Sequence, residues 1–253
     1  MDLKIAGKRA LVLGGNRGIG LAIAKALASE GAQLAIAARD EKVLREAAST
    51  IGGARTFAID LSDGKEFANF ATAVGDIDIL VNNTGGPPYG SVLNRDPSDW
   101  DESFKAMSLS IFRLTDLFLP SMRRNKWGRI ITVVSTGAVQ PIPVLGISNT
   151  LRAGIIAWSK SLAPEVAKDG VTVNIIMPGR VATERVRITD EATAARENID
   201  VEIVRQRSYS QIPMGRYAEP EEIAALAAFL CGGPASYITG SIHRADGGYV
   251  RHV

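Results

Sequence analysis

Seven short runs rich in branched aliphatic residues punctuate the chain: RALVLGG at 9–15, QLAIAAR at 33–39, ARTFAID at 54–60, DIDILVNN at 76–83, GRIITVVS at 128–135, VTVNIIMP at 171–178 and SYITGSIH at 236–243. Their apolar residues are nearly continuous instead of alternating, the pattern of strands covered on both faces. Segments with helical spacing separate them, so the order reads as repeated βαβ units. The fold class this predicts is α/β: one doubly wound domain over residues 1–253, a seven-stranded parallel sheet with helices on both faces.

The clearest helical patterns run over 19–29, with Gly31 placed to end the helix, from 97 towards 122, with Pro120 interrupting its end, and from 219 through 230, where Pro220 and early acids suit a first turn. No internal repeat or linker is visible. Residues 184–213 are charged and less periodic and follow a strand and a PG turn, which makes them a candidate substrate lid; a surface helical insertion without a gating role is the plainer alternative.

Composition narrows the function classes. The 29 basic and 27 acidic side chains leave a formal charge of +2, and no basic block tracks nucleic-acid phosphates; Arg123, Arg124 and Lys126 read as a solvated helix end. The N-terminus lacks a secretory pattern and no apolar run reaches membrane length, so we expect a cytoplasmic protein without a membrane or nucleic-acid partner. Cys231 is the single cysteine, and with His243 and His252 as the two histidines we expect neither a disulfide nor a metal site.

Candidate chemistry begins at residues 11–20, LVLGGNRGIG, a strand leading through glycines into a helix. Glycines permit a tight turn and close approach to a pyrophosphate, whose charge the helix N-terminus favours. The spacing of Gly14, Gly18 and Gly20 resembles that of the short-chain dehydrogenase/reductase family. So do Asp60-Leu61 after the third strand, Asn82-Asn83-Thr84-Gly85, Ser135 after the fifth strand, Pro178-Gly179 with Thr183, and Asp246-Gly247-Gly248. The likeness covers residues 5 to 250 and implies a Rossmann fold. It implies a cofactor site of Gly14, Asn16, Arg17, Gly18, Ile19, Gly20, Arg39, Asp60, Leu61, Asn83, Gly85, Arg152, Pro178, Gly179, Val181 and Thr183. Arg17 and Arg39 stand where a 2′-phosphate would be paired, and Asp40, one position late to read a ribose, suits a helix cap; the expected cofactor is NADP(H).

In that family a serine, a tyrosine and a lysine reduce a carbonyl with a helix asparagine. Counted from Ser135, the tyrosine position holds Ser148 and the lysine position Arg152; the asparagine position falls on Met107. The chain also resembles a 3-oxoacyl-[acyl-carrier-protein] reductase-like branch, in NNTGGPP, in SN followed by Arg152, and in Gly215-Arg216. A phenol titrates near pH 10, whereas a serine is a far weaker acid and an arginine offers no proton at neutral pH. Three replacements for the phenol are open: a water held by Ser135 and Ser148 beside Arg152, Tyr89 from the loop GGPPYG, or an acidic group on the substrate itself. Asn149 could orient a water, although next to a helix start it suits a local backbone partner.

The expectation is therefore an NADP(H)-dependent oxidoreductase interconverting a small-molecule carbonyl and an alcohol, with a 3-oxoacyl thioester as one candidate and Ser135, Ser148 and Arg152 as the catalytic set. Alternatives are an NADP(H)-binding regulatory protein without appreciable hydride transfer, and isomerisation or elimination. The resemblance further implies a homo-oligomer, a tetramer pairing the long helices near Trp100 and Leu151 and the last strand. The loops at 86–95 and 136–147 together with 184–213 would build a partly apolar substrate pocket.

Overall fold

The computed structural model describes residues 1–252. The expected parallel sheet is present, built from β1 (Arg9–Leu13), β2 (Gln33–Ala38), β3 (Arg55–Ala58), β4 (Ile79–Asn82), β5 (Gly128–Val133), β6 (Val171–Pro178) and β7 (Ile242–Ala245) in the spatial order β3-β2-β1-β4-β5-β6-β7. Residues such as Leu11, Ile36, Leu80, Ile130 and Val173 are fully enclosed, as strands covered on both faces require. On one face lie α1 (Gly18–Ser29), α2 (Glu41–Ser49) and α9 (Pro220–Cys231), around Ile23, Leu27, Leu44 and Ala227. On the other lie α3 (Phe67–Val74), α5 (Ser110–Arg124) and α6 (Gly146–Val166), around Phe67, Phe70, Phe118, Met122 and Val166. The helix α4 (Pro97–Phe104) leads into α5, and α7 (Glu184–Glu197) and α8 (Val201–Gln211) follow β6. Among the described residues no helix is long and apolar enough to cross a membrane.

Three boundaries correct the sequence reading. The seventh strand pairs with β6 only from Ile242, not across 236–243: Gly240 takes a positive φ of 65° and Tyr237 stands fully exposed, so the first half of that run is a turn. Pro120 does not end its helix. α5 continues to Arg124 because Leu119 and Met122 on either side are held in the core, and that burial outweighs one missing backbone bond. The segment 184–213 is mostly two regular helices, whose amphipathic signal is weak because only Asp190, Ala194 and Val204 within them are buried. Several local readings hold. Gly31 has a φ of 82° at the end of α1, Asp40 caps α2 by accepting from the Val43 N–H at 3.0 Å, and Cys231 is buried at the end of α9.

At the N-terminal end of the sheet, away from the cleft described below, Arg9 and Asp78 tie β1 to β4. Asp78 accepts from the Arg9 backbone N–H at 2.9 Å and from its Nε and Nη2 at 3.2 Å each. Burial opposes ionisation of Asp78, but the bonds from Arg9 outweigh it and hold the carboxyl below its usual range. A depressed folded-state pKa stabilises above the unfolded value of about 4 and loses that contribution as pH falls through the lower folded value. Asp78→Asn is therefore expected to cost about 1–3 kcal/mol at pH 7. Urea unfolding should show that difference, and it should shrink as pH falls below about 4.

Candidate active site

The strand order reverses between β1 and β4, and a crevice opens at their C-terminal ends, where an open α/β sheet binds its ligand. The turn after β1 is shaped by close backbone packing. A Cβ on Gly20 would collide with the Gly14 carbonyl and one on Gly14 with the Asn83 carbonyl, while Gly14 and Gly18 take positive φ of 62° and 52°. Asn83 Nδ2 donates to the Gly14 carbonyl at 3.3 Å, so the turns after β1 and β4 are fastened together. No side chain caps α1 and no acid lies in its first turn, which leaves its leading amides free for an anion. These features fit the pyrophosphate of a dinucleotide.

Other residues of the expected cofactor site frame this turn. Asn16 is buried within it, Ile19 packs on the core, and Gly85 faces open space. Thr183 caps α7 and lies against Gly18, Val181 is buried and bridges to Ala218, and Gly179, after Pro178, donates to Ala245 at 3.0 Å. Arg17 is exposed, 3.6 Å from Glu184. Arg39 is exposed at the end of β2 and acts electrostatically on Asp60. Bonds from the Ser62 N–H and hydroxyl, with a lesser contribution from Arg39, hold the Asp60 carboxyl below its usual range. Leu61 rests against the core. With the Asp40 carboxylate engaged in its cap, Arg39 is the charge at the end of β2 that has no ion-pair partner among the described residues.

The second half of the crevice is built where α6 begins. Arg152 is 8% exposed, donates from Nε to Ser148 Oγ at 3.2 Å and from Nη1 to the Val133 carbonyl at 3.0 Å, and among the described residues has no carboxylate partner. Burial, with a second contribution from the cation of Arg185, pushes its pKa down to about 10, which still leaves it charged at neutral pH. The Ser148 oxygen accepts from this cation, and Ser135 Oγ accepts from the Gly137 N–H at 3.2 Å. Each hydroxyl therefore keeps its single proton for donation elsewhere. The Arg152 bond to Val133, two residues before Ser135, brings the three expected catalytic residues into one neighbourhood.

Asn149 is a structural residue here. Its Nδ2 donates to the Ile142 carbonyl at 2.9 Å and its Oδ1 lies against Gly137. The Tyr89 phenol meets the Thr189 hydroxyl of α7 at 2.5 Å, joining the loop after β4 to the 184–213 segment. Met107 is buried in a π-helical turn, Lys105–Leu109, that no sequence period announced. A network around the buried Asp190 and Tyr217 was also missed: Arg180, half-buried just after Pro178-Gly179, reaches Asp190 at 3.0 Å, the Tyr217 hydroxyl at 2.9 Å and Ser208 at 2.5 Å, and Tyr217 donates to Asp190 at 3.0 Å. A buried acid on a charged helix leaves no mark in hydropathy.

Comparison with known proteins agrees with this geometry. Residues 14–250 match the family described as enoyl-(acyl carrier protein) reductase. The chain is 34% identical to a 3-oxoacyl-[acyl-carrier-protein] reductase of Aquifex aeolicus over 98% of this chain and 99% of that one. It is 36% identical to a D-beta-hydroxybutyrate dehydrogenase of Cupriavidus necator, covering 96% and 98%. The crystal structure of L-sorbose reductase from Gluconobacter frateurii, complexed with NADPH and L-sorbose, superposes with a TM-score of 0.95 at 33% identity, covering 100% of both chains. With the glycine turn, the sheet order and the crevice all in place, the chain belongs to the short-chain dehydrogenase/reductase family of oxidoreductases.

Proposed function

We propose that this protein is an NADP(H)-dependent reductase of a small carbonyl compound, with 3-oxoacyl thioesters among its candidate substrates, working through Ser135, Ser148 and Arg152. The observation that carries this reading is the buried Arg152 cation, held by Ser148 and the Val133 carbonyl and, among the described residues, paired with no acid. The uncapped α1 turn suits the pyrophosphate, and Arg17 and Arg39 would pair the 2′-phosphate. The names of the relatives support the same class of reaction.

Bound NADPH supplies the hydride. The protein's part is to hold the carbonyl oxygen against the Ser135 and Ser148 hydroxyls, whose free protons donate to it, with the Arg152 charge behind Ser148 favouring the alkoxide as it forms. Ser148 and Arg152 fill the tyrosine and lysine positions of the family pattern, so no phenol delivers the final proton. A water held by the two serines supplies it and ends as hydroxide returned to solvent. Omitting a positioned general acid forfeits about 10² to 10⁴ in rate, which approximation of the reactants, worth about 7–11 kcal/mol, can more than cover.

Residues 184–213 act in this reading as a lid over the substrate, anchored at one end by the Arg180–Asp190–Tyr217 network and touching the opposite wall through Tyr89 and Thr189. Exposed Phe104 and Leu117 near α5 and Ile242 on the edge strand are surfaces that self-association would cover, in keeping with a cytosolic homotetramer.

Arg152→Ala is expected to lower kcat/KM by about 10²–10³ while changing NADPH affinity far less. Stopped-flow NADPH oxidation beside a direct NADPH titration tests this, and equal losses in both would remove Arg152 from the reaction centre. Arg17→Ala and Arg39→Ala should each weaken NADPH binding by roughly tenfold with little effect on NADH. Fluorescence titration of both cofactors measures the preference, and equal weakening of the two would contradict the 2′-phosphate assignment.

A further inference from the structure

The segment 184–213 contains five arginines, Arg185, Arg187, Arg196, Arg205 and Arg207. Four of them have carboxylate partners: Arg187 with Glu191, Arg196 and Arg207 with Glu197, and Arg205 with Glu202. Arg185 has none among the described residues, in a segment where acids are plentiful. It also sits in the first turn of α7, where a cation opposes the helix dipole. Its guanidinium lies directly on Gly86, in the loop after β4, at a spot that any Cβ on that residue would fill. An arginine placed against the dipole, without an acid, and accommodated by a glycine across the crevice is held there for something other than helix stability.

The Arg185 cation also disfavours the charge on Arg152, and among the described residues neither guanidinium has a carboxylate partner. Arg185, over the loop that follows β4, and Arg152, bonded to the Val133 carbonyl at the end of the neighbouring β5, thus stand at adjacent strand ends on the side of the crevice where α6 begins. An anion bound beside both would ease their repulsion, and a guanidinium is suited to fork-like pairing with a carboxylate or phosphate.

We propose that Arg185 is the specificity residue for an anionic substrate: a carbonyl compound bearing its own carboxylate or phosphate, which Arg185 pairs while the carbonyl lies at Ser135 and Ser148. This rests on the reductase reading above and narrows its substrate class. It also gives the lid a reason to close, since the substrate's charge would draw α7 towards the floor of the crevice.

The test uses matched pairs that differ in charge, acetoacetate against methyl acetoacetate and dihydroxyacetone phosphate against dihydroxyacetone, with wild type, Arg185→Met and Arg185→Lys at saturating NADPH. In at least one pair the anionic member is expected to be favoured in kcat/KM by about 10- to 100-fold, chiefly through KM. Arg185→Met should remove that preference and Arg185→Lys restore part of it, while the neutral member changes less than about threefold. The pair that responds separates carboxylate from phosphate. No preference in either pair, or one that survives Arg185→Met, overturns the proposal; a loss of NADPH affinity in Arg185→Met with substrate preference intact would assign the residue to the cofactor's pyrophosphate instead. If neither these four compounds nor a 3-oxoacyl thioester oxidises NADPH, the reductase reading is what fails. The anion subsite is then decided by calorimetric titration of malonate and of inorganic phosphate into the NADP⁺ complex: binding at least tenfold weaker in Arg185→Met supports it, and equal or absent binding overturns it.

Discussion

A buried cation, Arg152, with no carboxylate partner among the described residues is the constraint on which the chemical half of this structure depends. Burial, with a lesser contribution from the cation of Arg185, pushes the Arg152 pKa down to about 10, so the fold disfavours the charged form it nevertheless keeps at neutral pH. Two neutral oxygens, Ser148 Oγ and the Val133 carbonyl, hold the guanidinium in place without quenching its field. An acid in their place would stabilise the fold better and leave less field for a developing alkoxide. In the reaction proposed above, local stability is given up so that charge is available to the developing alkoxide.

The rest of the fold serves to hold that cation at the correct edge. β5 carries Val133 and Ser135, α6 carries Ser148 and Arg152, and the register between β5 and β6 fixes the strand end from which both are approached. The glycine turn after β1 is joined to the β4 turn through Asn83, so the nucleotide half and the chemical half share one rigid sheet edge. The Arg180 network fastens the helices after β6 to the same edge, which sets where Arg185 can stand relative to Arg152.

The sheet and the nucleotide turn were legible in the sequence because each imposes a local demand on residue type. A strand enclosed on both faces must be apolar throughout, and a turn with Gly20 packed on the Gly14 carbonyl admits no side chain. The seventh strand was misplaced because SYITGSIH has the composition of a strand while Gly240 bends its middle. Pro120 misled because a local rule about helices yielded to the packing of Leu119 and Met122. Ser135, Ser148 and Arg152 could be counted out from the spacing, but the solitude of Arg152 could not, since the absence of a neighbouring acid is a property of the folded chain. Arg185 and Asp190 were hidden for the same reason, one unpaired and one buried in a stretch that reads as uniformly charged.

The central claim is that hydride transfer here proceeds beside a permanent cation and two hydroxyls, with no titrating acid in the reaction centre. Its most direct test is the pH dependence of single-turnover NADPH oxidation by the wild-type protein, followed by stopped-flow absorbance with an active carbonyl substrate. Serine hydroxyls do not titrate in the ordinary range, and Arg152, its pKa pushed down to about 10, stays mostly charged through about pH 9. The predicted rate is flat from about pH 7 to 9. A sigmoidal fall across that interval would show that an ionising side chain donates the proton and would contradict the account.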